Sequence, residues 1–256
     1  MLRAADVIAC EDTRHARHLL DHYDIRAQLL AVHEHNEQAA AEKLIALLAE
    51  GKRVAMISDA GTPGVSDPGA RAVAAVRTAG FAVTPLPGPS AAIAALSAAG
   101  LDDAAFHFVG FLPAKIGARR TAIEALQPIA ATLVLYEAPH RIEETVADLA
   151  TLLEPQREIV IARELTKLFE QIVRLPLPDA SAWLQVDDNH RRGEFVLLVS
   201  APPPPNVKGG LDAASERILR ILLAELPVKQ AAKLGSEITG VAKNDLYRRA
   251  LEIKGG

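Results

Sequence analysis

One cysteine in 256 residues rules out an intramolecular disulfide and fits a reducing, cytoplasmic setting. Cys10 falls in the apolar run Val7-Ile8-Ala9-Cys10, so it reads as buried filler rather than as a nucleophile. Long apolar runs are missing too. No segment approaches the ~20 apolar residues of a membrane span, and no signal-peptide pattern opens the chain, so no membrane association is expected. There is no Walker-type lysine motif, and no GxGxxG follows an apolar strand. Phosphate-centred nucleotide binding is therefore disfavoured. Metal-ligand spacing is absent as well. His15, His18 and His22 are spaced to share a helical face but have no carboxylate or cysteine partners at ligand spacing, so they read as surface or RNA-facing residues and no metal is expected.

Net charge is small, −4, but unevenly spread. Residues 227–256 hold six Lys/Arg and three Asp/Glu, a balance of +3 that leaves −7 on the rest. A basic end on an acidic body suggests a localised nucleic-acid contact, against the ordinary reading of a solvated helical surface. Half the residues are apolar, ample for a core, and the length suits two modest domains with an appendage.

The richest segment is 57–69, Ile-Ser-Asp-Ala-Gly-Thr-Pro-Gly-Val-Ser-Asp-Pro-Gly. An apolar run precedes it and a helical pattern follows, an order that reads strand, loop, helix. Its three glycines and two prolines impose an irregular backbone that a ligand can approach closely. Ligands of open α/β sheets bind beyond the carboxyl ends of strands, where this loop sits. A plain turn with Asp67 as N-cap and Pro68 at the first helical position explains only its end. The loop is roughly three times the usual length of such turns. A second unit follows, with a strand expected at 81–86, then Pro87-Gly88-Pro89, then a small-residue helix with Ser90 as N-cap.

Strand and helix alternate through the first third of the chain. Strands are expected at 7–10 and 29–32, and a helix at 36–50 with Asn36 as N-cap and Gly51 just past its end. Such alternation implies a mainly parallel sheet. From 106 the pattern changes. Strands at 106–112, 132–136, 158–163, 170–175 and 194–200 surround helices near 117–126, 141–153 and 179–185. Adjacent strands without intervening helices imply a mixed sheet. The expected division is an α/β domain at 1–105, a second at 106–200, a Pro/Gly linker at 201–210 and a helix-turn-helix-like domain at 211–256, its helices at 213–226, 228–238 and 243–253.

Seven segments, in order, resemble the ribosomal RNA small-subunit methyltransferase I family, 16S rRNA cytidine 2′-O-methyltransferases of the tetrapyrrole-methylase superfamily. They are Ala9-Cys10-Glu11-Asp12-Thr13-Arg14, the 57–69 loop, Pro87-Gly88-Pro89-Ser90-Ala91, Phe108-Val109-Gly110-Phe111-Leu112-Pro113, Tyr136-Glu137-Ala138-Pro139-His140-Arg141, Ala162-Arg163-Glu164-Leu165-Thr166-Lys167 and Gly193-Glu194-Phe195-Val196-Leu197-Leu198-Val199. Each is weak alone; their order is the signal. Family members carry an apolar strand and a Thr-Pro-Ile-Gly-Asn-Leu-like loop ahead of Ala5-Asp6-Val7-Ile8-Ala9. This chain begins inside that region, so the opening strand is expected to be missing and cofactor binding by the chain as written to be weak.

The resemblance implies S-adenosylmethionine (SAM) as cofactor, 16S rRNA in the 30S subunit as partner, and a homodimer. It places Gly61, Thr62, Val65, Ser66, Ser90, Ala91, Tyr136, Ala162 and Phe195 around SAM. Candidate catalytic groups are Glu11, Asp12, Arg14, Glu164 and Lys167, which follow expected strand ends. A carboxylate there could orient a ribose hydroxyl or take its proton. Arg119, Arg120, Arg141, Lys243, Arg248 and Arg249 are candidate RNA contacts. Interdomain salt bridges are the competing reading of every charged residue named. Two other functions stay open at this point: methylation of a small tetrapyrrole-type molecule, and catalytically silent RNA binding.

Overall fold

The computed structural model describes residues 1–33, 35–203, 211 and 213–255. These form two compact units, Met1–Pro202 and Pro203–Gly256. Both sheets belong to the first unit, so the expected boundary at 105/106 divides two sheets within one body. Residues 204–210 of the expected linker lie outside the described residues.

The first sheet has three parallel strands in the order β2-β1-β3: β1 Val7–Cys10, β2 Gln28–Ala31 and β3 Val54–Met56. The central strand β1 is buried throughout, Cys10 included, because helices cover the sheet. Helix α1 (Thr13–His22) starts where Asp12 accepts a hydrogen bond from the Arg14 amide at 2.7 Å. Helix α2 (Glu37–Ala49) follows Asn36, but the Asn36 side chain does not cap it. Its Oδ1 accepts from the His33 amide and its Nδ2 donates to Ala31 O, fastening the loop after β2.

Two expectations fail in this half. Residues 81–86 form no strand; Phe81 and Val83 only rest against the core of the first sheet, and no neighbouring strand takes up their backbone groups. Asp67 is not the cap of α3 (Ala70–Thr78). Gly69, at φ +124°, is the N-cap, and the amide there is satisfied from elsewhere. Ser90 does cap α4 (Ala91–Ala98), its Oγ accepting from the Ile93 amide.

The second sheet is mixed, in the order β4-β5-β8-β6-β7. Its strands are β4 Phe106–Phe111, β5 Thr132–Glu137, β6 Glu158–Arg163, β7 Gln171–Pro176 and β8 Phe195–Val199. Only β4 and β5 run parallel; the other pairings are antiparallel. The middle strands are apolar at nearly every position because both faces are covered. Leu133, Leu135, Ile159, Ile161, Leu197 and Val199 face the core under α5 (Ile116–Leu126), α6 (Ile142–Leu152) and α7 (Ala180–Val186). The alternate residues Val134, Val160, Ala162, Val196 and Leu198 meet α4, whose Ala92 and Ala95 let it lie close on the sheet. Each such Leu or Ile removes apolar area worth about 1.5–3 kcal/mol.

In the second unit, α8 (Ala213–Glu225), α9 (Val228–Thr239) and α10 (Lys243–Gly255) bury Leu219, Leu223, Ala231, Leu246 and Ala250. Gly240, left-handed at φ +75°, ends α9 and turns the chain into α10. Helices therefore stand at all three places where the sequence pattern puts them, 213–226, 228–238 and 243–253.

Candidate active site

The 57–69 loop is held at three points. Thr62 Oγ1 donates to Pro89 O at 2.9 Å, joining it to the second Gly/Pro loop. Ser66, at φ +59°, lies against β4; a Cβ on Gly110 would stand 3.1 Å from Ser66 Oγ. Glu37, the first residue of α2 and buried, accepts from the Gly69 amide at 2.5 Å and lies 3.7 Å from the Arg71 guanidinium. Nothing in the sequence pattern singles out Glu37; a glutamate opening a helix reads as dipole complement alone.

Between this loop and the second sheet lies a cavity of about 410 Å³. Gly61, Thr62, Val65, Ser66 and Asp67 line one side, Ser90 and Ala91 continue it, and Phe111, Tyr136, Leu165, Phe195 and Val196 line the other. Tyr136 ties the two halves. Its ring meets Phe108 and Phe111 edge-on, and its hydroxyl accepts from the Ala92 amide of α4 at 3.2 Å. Eight of the nine residues expected around the cofactor therefore line one cavity. Ala162 does not; it is fully buried within β6, where the pairing with Val196 seals it under α4.

The expected catalytic residues fare differently. Asp12 is committed to capping α1 and to Arg14, whose guanidinium holds its carboxyl down to about 2. Glu164 sits at φ +50° at the end of β6, accepting from the Glu194 amide and from Lys167, which hold its carboxyl below the usual range. Lys167 bridges Glu164 and Glu194 at 2.9 and 3.0 Å, so it braces the rim rather than reaching inward. Glu11 alone among the five has a proton acceptor's surroundings. Burial, then Asp59, Asp67 and Asp12, push its carboxyl up, with His33 opposing. None of the five lines the cavity.

The tetrapyrrole (corrin/porphyrin) methylase family matches residues 1–181, and the RsmI C-terminal HTH domain matches residues 209–254. The chain is 49% identical over 255 residues to the ribosomal RNA small subunit methyltransferase I of Escherichia coli O157:H7, covering all of this chain and 88% of that protein. The Pseudomonas aeruginosa protein of the same name is 48% identical, with 100% and 90% covered. The chain belongs to the ribosomal RNA small subunit methyltransferase I family. In fold, this methyltransferase is similar to uroporphyrin-III C-methyltransferase of Thermus thermophilus in complex with S-adenosyl homocysteine, at TM-score 0.51 and 19% identity, with 78% of this chain and 87% of that one covered.

Of the arginines expected to meet RNA in this methyltransferase, three are tied into the fold by ion pairs and hydrogen bonds. Arg119 is 1% exposed and donates to Asp148 at 2.7 Å and Glu144 at 3.1 Å, so it pins α5 to α6. Arg141 donates to Leu112 O at 2.7 Å and pairs with Glu137, latching the turn after β4. Arg249 joins α10 to α8 through Glu216 at 2.6 Å and also pairs with Glu252. Arg120 keeps half its side chain in solvent while pairing with Asp148. Arg248 and Lys243 are exposed on α10, Arg248 beside Asp245.

Proposed function

We propose that this methyltransferase transfers a methyl group from SAM to the 2′-hydroxyl of a cytidine ribose in 16S rRNA of the small ribosomal subunit. The observation that carries the reading is the cavity, whose walls are the motif loops of the family. The residues fit SAM. The volume lies in the range of small-molecule sites. A Cβ on Gly61 would meet nothing nearer than Pro89 O at 3.9 Å, so that glycine leaves open space in the wall. Phe111, Tyr136 and Leu165 offer apolar surface, and the backbone of 60–62 and Ser90-Ala91 offers polar groups. When bound, SAM supplies a methyl group already activated on a sulfonium. The chain's own residues then align the acceptor oxygen, exclude water and receive the hydroxyl proton. The full-length likeness to rRNA methyltransferases favours RNA over a small tetrapyrrole as substrate.

RNA docking falls to exposed cations: Lys243 and Arg248 on α10 and Arg120 on α5. The reading also includes a homodimer, favoured by the exposed Leu86, Ile93 and Phe106 of the first unit, and the cytoplasm as compartment. No helix among the described residues is long and apolar enough to cross a membrane.

The test is tritium transfer from labelled SAM to 16S rRNA and to 30S subunits, followed by alkaline hydrolysis. Label in an alkali-resistant dinucleotide marks 2′-O-methylation; label on a base, or none, overturns the reading. Lys243→Glu with Arg248→Glu should weaken rRNA binding and lower its salt slope by about one or two while sparing affinity for S-adenosylhomocysteine. Sedimentation of the full chain checks the dimer.

A further inference from the structure

The apolar wall of the cavity continues past it along the sheet. Strand pairing sets Phe111, Tyr136, Val196, Ala162 and Ile172 side by side, one from each strand in the order β4-β5-β8-β6-β7. Opposed residues share a face of a sheet. Phe111, Tyr136 and Val196 line the cavity, Ala162 is sealed, and Ile172 on the edge strand opens to solvent. One residue further along these strands begins the loop 164–170, which joins β6 to β7. At its tip Leu168 is 89% exposed and Phe169 67%.

Scattered exposed apolar residues are ordinary, but hairpin tips favour small polar ones, and this tip is firmly built. The Thr166 amide donates to Glu170 Oε2 at 2.6 Å, the Lys167 amide to Glu164 O at 2.9 Å and the Glu170 amide to Lys167 O at 3.1 Å. Glu164 and Thr166 are both left-handed, at φ +50° and +66°. For a β-branched threonine that is an unfavourable conformation, kept only where the surroundings over-determine it. Lys167 ties the loop to Glu194 of the cavity rim, and Leu165 of the same loop lines the cavity. A cation stands alongside. Glu164 packs where Gly193 has no side chain, which brings the preceding Arg192 to the base of the hairpin. Arg192 is exposed, donates to Asn189 Oδ1 at 3.4 Å and pairs with no carboxylate among the described residues.

We propose that Phe169, with Leu168 beside it, is a stacking platform for an unpaired rRNA base adjoining the acceptor nucleotide, and that Arg192 holds a phosphate of the same stretch. This rests on the hydroxyl-methylation reading above. A ribose brought into a recessed cavity leaves its stack, so the neighbouring base loses a partner. An aromatic side chain replaces that partner for any base, since every base has a π-face. A second copy of the chain is the competing occupant. An aromatic side chain offers at most about 250 Å², well short of the roughly 800 Å² per partner of a stable interface, and an unpaired arginine suits phosphate.

Phe169→Ala in the full chain should raise KM for 30S subunits roughly 5- to 100-fold while kcat changes far less. Co-sedimentation with 30S subunits should weaken in step, a readout independent of turnover. S-adenosylhomocysteine affinity by calorimetry and the melting temperature should hold, because the side chain is in solvent. Phe169→Trp should restore KM and Phe169→Leu should not, which separates stacking from simple apolar contact. Arg192→Gln should lower the salt slope of 30S binding by about one. An unchanged KM in Phe169→Ala would overturn the proposal. So would Phe169→Leu performing as well as Phe169→Trp, or a Phe169→Ala chain that sediments as a smaller species than wild type, which would make the tip a subunit contact. Wild type without 2′-O-methylation defeats the functional reading instead, which separates the two failures.

Discussion

The two sheets of the first unit hold their shares of the cavity by different means. In the five-stranded sheet, β5, β6 and β8 are buried on both faces, and Tyr136, Phe195 and Val196 reach the cavity directly from strands. In the three-stranded sheet only β1 is fully buried; β2 and β3 are half-exposed, and alanines such as Ala9, Ala40, Ala41 and Ala72 make up much of the core. Its share of the cavity comes from a loop fixed by Glu37, Thr62 and Ser66. One wall is placed by packing and the other by hydrogen bonds. Apolar packing tolerates volume-conserving apolar exchange, whereas a hydrogen-bonded loop depends on each tie.

The sharpest way to break this contrast is to put a polar fault into the packed half. Asp148→Ala strips the partner from Arg119 at 2.7 Å and leaves its nearly inaccessible guanidinium with Glu144 alone. We expect a loss of about 3–5 kcal/mol, read by denaturation through Trp183, which packs on that core. Ligand affinity of the folded protein should not change. A loss below about 1 kcal/mol would mean the ion cluster is not integral to the packed half.

Gly193→Ala should come next. Gly193 has φ +92°, and a Cβ there would lie 2.6 Å from Glu164 Cδ. Together, backbone strain and displacement of Glu164 should cost about 1–3 kcal/mol and loosen the Lys167 bridge. Thermal melting would show it, along with weaker S-adenosylhomocysteine binding.

Glu37→Gln tests the hydrogen-bonded wall. The charged acceptor of the Gly69 amide disappears, a change of about 1–2 kcal/mol confined to the loop. Calorimetry should show S-adenosylhomocysteine binding roughly tenfold weaker, while Trp183-detected melting barely moves. If melting falls and affinity holds, the division between the walls is wrong.

The smallest effect is in the second unit, at low pH. Glu216 is held down to about 2, first by Arg249, against an ordinary value of 4.5. Because its folded value is lowered, the stability it lends is present above pH 4.5 and fades as the pH falls toward 2. Hydrogen exchange at the Leu246 and Ala231 amides of the full chain should speed up over that window, and Arg249→Met should flatten the change.

Helices and strands with strong periodicity were legible in the sequence. Strands 7–10 and 158–163 are legible to the residue, and most other ends to within one or two. The exception at 81–86 is instructive, since β-favouring side chains do not make a strand without a partner for the backbone. The cofactor wall was legible because glycine and proline mark irregular backbone directly. Charged residues were harder to place. Arg119 and Arg120 are adjacent in sequence, yet one is buried and the other half in solvent, because a helix turns successive residues about 100° apart. The N-cap expected at Asp67 rests on a sound local pattern, Asp-Pro at a helix start, which positive φ at Gly69 displaces by two residues.

Strand order has a consequence for how the protein is made. The last strand of the second sheet in sequence, β8, lies in its middle, between β5 and β6. While the chain emerges from the ribosome, β4-β5 and β6-β7 can form only as two separate pairs. Neither can close on the other until residue 199 is free. The wall at Phe195 and Val196 arrives with that final insertion. A nascent chain released early would expose two apolar edges in place of one seam, and ligand binding becomes available only after the whole sheet is complete.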